Sequence, residues 1–115
     1  MGQALLKLKK HREFVEIAQN GRKFITSGLV LQVLKRPDDN PFFDSIRVGF
    51  VTTKKVGNAV KRSRIRRRLR SLASQILPEF AEKGSDYVLI GRASTFDRKF
   101  DLLTADLKYA LRKIK

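Results

Sequence analysis

The chain has 115 residues, with 26 Lys or Arg against 11 Asp or Glu and a formal net charge of +15. That length fits one domain able to bury roughly two-thirds of its unfolded surface, and 42% hydrophobic residues with eight Phe argue against general disorder. Absence of cysteine excludes disulfides and thiol metal sites and fits a reducing, cytoplasmic setting, while no apolar run approaches the roughly 20 residues a membrane span needs.

The opening MGQALLKLKK lacks the long apolar core of a signal peptide and reads as a basic arm over residues 1–10, mobile or partly extended. Between His11 and Asn20, Phe14, Ile17 and Ala18 predict a short helix closed by Gly21 in the left-handed region. Arg22 to Ser27 is transitional, with Phe24 and Ile25 as candidates for extended backbone. Leu29 to Lys35 is a strand-length aliphatic run, followed by the turn-rich Arg36-Pro37-Asp38-Asp39-Asn40-Pro41. Ile46 to Thr53 alternates, with Ile46, Val48, Phe50 and Thr52 on one side and Arg47, Gly49, Val51 and Thr53 on the other. This predicts a second strand, antiparallel to the first through the intervening loop.

The stretch Lys54 to Arg70, KKVGNAVKRSRIRRRLR, holds nine basic residues in 17 and no acid. Within it and just beyond, Ile65, Leu69, Leu72, Ala73 and Ile76 recur at helical spacing, so one apolar stripe can be buried. Burying it turns Arg64, Arg66, Arg67 and Arg70 outward, while Arg62 and Arg68 flank the stripe with stems along the core edge. Gly57 lets the chain turn out of the strand, Asn58 is the candidate N-cap, and Pro78 marks the expected end. Solvated helix faces usually mix Glu with Lys. Charge of a single sign at this density calls for a polyanion, and a phosphate backbone is the commonest.

A loop around Glu82 to Ser85 precedes a third strand, Asp86 to Arg92. Asp97 is placed to cap a last helix with the stripe Phe100, Leu103, Leu107, Ala110, Leu111 and Ile114. The order is α-β-β-α-β-α, an α+β class, single-domain α/β sandwich over residues 1–115. A crossover helix between the second and third strands makes them parallel neighbours in a small mixed sheet.

Catalytic chemistry is not apparent. His11 is the only histidine and reads as a solvated helix-start residue, and neither phosphate-binding glycine motif occurs. Asp38, Asp39 and Asp44 suit either a divalent ion or, better, the chemistry of turns beside proline. Phe14, Phe42, Phe43 and Phe50 offer rings that could stack on an unpaired base or fill the core.

The chain resembles the protein subunit of bacterial ribonuclease P, most densely at Lys54-Lys55-Val56-Gly57-Asn58-Ala59-Val60, then Arg62-Ser63-Arg64-Ile65-Arg66-Arg67 and Arg70. Weaker similarity runs through Leu8-Lys9-Lys10, Phe14 and Gly21, Arg47-Val48-Gly49, and Asp86-Tyr87-Val88. The resemblance implies a ribonucleoprotein endonuclease that removes the 5′ leader of precursor tRNA. A catalytic RNA subunit performs the hydrolysis with Mg²⁺ that the RNA mainly binds, and the protein carries no catalytic residue and no metal of its own. It implies a left-handed β-α-β crossover, against the general right-handed rule, and partners that are ribonuclease P RNA and precursor tRNA, with no membrane or protein partner. Lys54, Lys55, Arg62, Arg64, Arg66, Arg67 and Arg70 inherit contact with the catalytic RNA. Asn58, Lys61, Ser63 and Arg68 complete the RNA-binding candidates. Phe14, Val30 and Gln32 inherit a leader-binding cleft between the first helix and the sheet. Three positions depart from the family pattern: Ser63 where Asn is usual, Ala18 where a second aromatic is common, and Arg68 where an apolar residue is frequent. Two rival readings share the charge or the chemistry, a structural ribosomal or chromosomal protein and a self-sufficient nuclease; the second is disfavoured by the missing histidine and carboxylate constellation.

Overall fold

The computed structural model describes residues 5–37 and 44–114. In chain order the elements are β1 (Leu5–Lys7), α1 (His11–Asn20), β2 (Arg22–Ile25), β3 (Leu29–Lys35), β4 (Ile46–Val51), α2 (Ala59–Phe80), β5 (Ser85–Gly91) and α3 (Phe100–Lys113). Short 3₁₀ turns at Lys54–Val56 and Ala93–Phe96 lead toward α2 and α3. The strands form one mixed sheet in the order β1-β4-β5-β3-β2.

β4 and β5 are parallel neighbours joined through α2, as the element spacing requires, with Val48 opposite Tyr87 and Phe50 opposite Leu89. The expected pairing of β3 with β4 does not occur, because β5 lies between them, antiparallel to β3 and parallel to β4. Burial explains this. Six of the seven β5 residues are buried, and a strand apolar on both faces belongs in the middle of a sheet. The ten-residue connection from Arg36 to Ser45 leaves room for a strand between its ends.

The sheet is longer at both edges than expected. Of the arm anticipated over residues 1–10, Leu5–Lys7 forms β1, parallel to β4 with Leu5 opposite Ile46, and Leu8 is buried. The transitional stretch becomes β2, antiparallel to β3. Their turn is closed by Thr26, whose N–H donates to the Leu29 carbonyl at 2.9 Å and whose Oγ1 accepts the Leu29 N–H at 3.1 Å. Asp38, Asp39, Phe42 and Phe43 lie outside the described residues.

Layering follows from the two faces of each strand. α2 and α3 cover one face, where Leu29, Leu31, Ile46, Val48, Tyr87 and Leu89 meet Ile65, Leu69, Leu72, Ala73, Ile76 and Leu77 of α2 and the predicted stripe of α3. α1 covers part of the other, where Ile17 meets Leu8 and Val88 with Phe14, Leu34, Val51 and Ile90 around them.

Three local expectations are corrected. Gly21 is extended, not left-handed; a Cβ there would stand 2.5 Å from the carbonyl oxygens of both Ile17 and Val33, so close backbone approach explains the glycine. α2 runs two residues past Pro78, since proline that close to a helix end forfeits little more than one terminal hydrogen bond. Asp97 ends the 93–96 turn, and Lys99 occupies the N-cap of α3 without a side-chain cap bond.

Candidate nucleic-acid interface

α2 starts from a rigid corner. Gly57 has φ +137°, a conformation that side chains rarely adopt, and the Asn58 side chain accepts the Lys61 N–H at 3.0 Å as the N-cap. The helix then buries Ile65, Leu69, Leu72, Ala73 and Ile76, none more than 2% exposed. Lys54, Lys55, Asn58, Lys61, Ser63, Arg64, Arg67 and Arg70 are exposed, and Arg62, Arg66 and Arg68 are half-buried. Among the described residues, no arginine of α2 forms an ion pair with a carboxylate.

Several of these cations are held in place by neutral acceptors. Arg62 donates to the Gly57 carbonyl at 3.0 Å and Arg66 to Thr52 Oγ1 at 2.9 Å. Arg64 donates to the Phe96 carbonyl at 2.9 Å, with its guanidinium 5.1 Å and Lys61 Nζ 5.6 Å from the centre of the Phe96 ring. Arg67 and Arg70 are exposed. Such bonds fix geometry and leave the positive charge uncompensated.

Arg68 departs from the expected row. Its guanidinium donates to the carbonyls of Thr95 at 3.0 Å, Phe96 at 2.7 Å and Arg98. Burial draws its pKa below the ordinary arginine value; the nearby Arg64 charge adds to this and Asp97 opposes it. Arg68 therefore straps α2 to the segment leading into α3. Arg47, shortly before the basic tract, is likewise committed internally, donating to Asp86 at 2.8 Å and to Glu13 at 2.9 Å. The hydrogen bond to Asp86 is the main cause of its raised pKa, against the cost of burial.

On the opposite face of the sheet, α1 leaves a cleft of about 520 Å³ whose lining includes Phe14, Gln32, Val88 and Ile90. Gly49 lets the Phe14 ring close on the sheet, since a Cβ there would stand 2.4 Å from that ring. Val30 shares this sheet face, two residues before Gln32 and paired with Ile90, but does not line the cleft. Arg66 and His11 do line it and had not been assigned there. The signal for His11 was present in the sequence, three residues before Phe14 and so on the same helix face. Arg66 offered none, because its reach to Thr52, just past the end of β4, depends on where α2 docks.

The ribonuclease P family profile matches residues 3–115. The chain belongs to the ribonuclease P protein family. It is 44% identical over 114 residues to the ribonuclease P protein component of Paramagnetospirillum magneticum, covering 99% of this chain and 86% of that one. It is 50% identical over 107 residues to that of Gluconacetobacter diazotrophicus, covering 93% and 89%. Among solved structures, the RNase P protein from Thermotoga maritima superposes with a TM-score of 0.78 at 26% identity, covering 95% of this chain and 97% of that chain. Of the three departures from the family pattern, Arg68 has a structural explanation in its strap to residues 95–98. Ser63 is exposed beside Arg64 and Arg67, and Ala18 is exposed in the lining of the cleft, where its methyl offers no ring for stacking.

Proposed function

We propose that the protein is the non-catalytic subunit of a ribonuclease P ribonucleoprotein, one RNA-binding domain acting in the cytoplasm, which assists removal of the 5′ leader from precursor tRNA. The observation that carries this reading is the row of α2 cations, anchored by neutral acceptors and free of carboxylate partners among the described residues. Lys54, Lys55, Lys61, Arg62, Arg64, Arg67 and Arg70 would contact phosphates of the catalytic RNA, with Asn58 and Ser63 on the same surface. Arg68 would join them from the margin of the row, its guanidinium held by the carbonyls of Thr95 and Phe96.

The leader would lie in the α1 cleft, where Phe14 supplies a ring for an unpaired base and Gln32 an amide for base or backbone. Arg66 lines that cleft from α2 and can hold a phosphate where the two surfaces meet. Val30, outside the lining, would bear on the leader only through its contact strand. Mg²⁺ in this reading is a ligand of the RNA. The reacting groups in this reading likewise belong to the RNA.

Leader removal by the cognate RNA at low Mg²⁺ is expected to rise when the protein is added; an unchanged rate would refute the reading. Phe14→Ala is expected to lower affinity for leader-bearing precursor by about tenfold, with mature tRNA little affected. Equal loss on both, measured by filter binding, would remove Phe14 from leader recognition.

A further inference from the structure

The outer side of α3 carries a second aromatic and basic surface, remote from the α1 cleft. Tyr109 is 45% exposed, and its ring is held by an edge contact with Phe24 of β2, centroids 5.7 Å apart and planes at 62°. Arg112 and Lys113 approach the same ring at 5.7 and 5.5 Å. Beside it runs a groove of about 500 Å³ between β2 and α3, whose lining includes Ile25 at 58% exposure. The one carboxylate in that lining, Asp106, is already paired with Arg98 at 2.7 Å.

We propose that this groove is a second RNA-binding surface, taking an unpaired stretch of the same catalytic RNA that α2 binds. Exposed rings normally cost solubility, and one fixed by a neighbouring aromatic edge costs little entropy to stack upon. A base seated on Tyr109 places its flanking phosphates within reach of Arg112 and Lys113, with Arg22 and Lys23 exposed on β2 along the same edge. Charge selects the occupant. A second copy of this chain would bring another +15 against the same basic rim, whereas a polynucleotide neutralises it. α3 packs beside α2 on one face of the sheet, so a single RNA can engage both helices.

The inference rests on the RNA-binding reading above, and the test separates the two. Affinity for the cognate ribonuclease P RNA, transcribed in vitro, is measured across a salt series for the whole protein. Tyr109→Ala is expected to bind about tenfold more weakly with an unchanged salt slope, because stacking releases no counterions, and Tyr109→Trp to bind at least as tightly as the parent. Arg112→Ala with Lys113→Ala, both solvent-exposed and independent of the core, is expected to reduce the slope by about two. Wild-type affinity and slope in that double variant overturn the proposal, as would an unweakened Tyr109→Ala, which would leave the groove to a protein partner. Failure of the parent protein itself to bind the RNA would overturn the underlying reading as well.

Discussion

Asp86→Ala is expected to destabilise the protein by about 3–5 kcal/mol, because it removes the carboxylate that two guanidinium groups share. Asp86 is 4% and Arg36 5% exposed. Arg36 donates to Asp86 and to the Ser45 carbonyl, while Arg47 meets both Asp86 oxygens at 2.8 Å and reaches Glu13 at 2.9 Å. The network thus joins β4, β5 and α1 to Arg36, the residue that follows β3. Taking a charge of one sign out of such a cluster leaves buried cations whose desolvation is no longer offset. Denaturant unfolding would show a lower midpoint at an unchanged slope. A loss below about 1 kcal/mol would mean that the cluster contributes little beyond the backbone it joins. Since Glu13 is one residue before Phe14, the same variant should also loosen the wall of the cleft.

Leu69→Ala is expected to cost about 2–5 kcal/mol by leaving a cavity under α2. Leu69 is fully buried, and it lies with Ile65 over Gly91 of β5. A Cβ on Gly91 would meet the Ile65 side chain at 2.4 Å and the Leu69 side chain at 3.6 Å. The absent side chain lets α2 dock closely against the sheet. A truncated leucine therefore sits where the surroundings have little freedom to collapse. By contrast, Ser63→Ala, in solvent on the same helix, should change stability by no more than about 0.5 kcal/mol. Thermal unfolding of the two variants side by side checks both, and equal stabilities would mean that the buried stripe is misassigned.

The elements that were legible in the sequence are those whose periodicity is long enough to declare a face. The α2 and α3 stripes, the two sides of β4 and the Asn58 cap follow from spacing alone, because a helix or strand with one wet face repeats its choice over several turns. β1 and β2 were not legible as strands. Three or four residues carry too little period, and their hydrogen bonds come from β4 and β3. Strand adjacency was hidden for a related reason: β3 and β4 follow each other in sequence, but the strand able to bury both faces, β5, comes later. In the candidate interface, the exposed positions of Arg64, Arg67 and Arg70 followed from the wheel, whereas Arg66, expected outward with them, is half-buried against Thr52. The diversion of Arg68 to the carbonyls of residues 95–98 did not follow from it either, since a long flexible cation can be wet or buried at the same angular position. Arg47 is a similar case, basic in composition yet neutralised by carboxylates distant in the chain.

The central claim, that α2 presents a fixed basic face to a structured RNA, is tested most directly by the salt dependence of affinity for the cognate ribonuclease P RNA. The wild-type protein and the Arg67→Ala, Arg70→Ala double variant would be compared between about 50 and 200 mM salt, where five or six phosphate contacts correspond to a fall on the order of a hundredfold to a thousandfold. Both arginines are in solvent, so the variant should keep its melting temperature, bind more weakly, and lose about two units from the logarithmic salt slope. A variant that binds with the parent's affinity and slope would contradict the account.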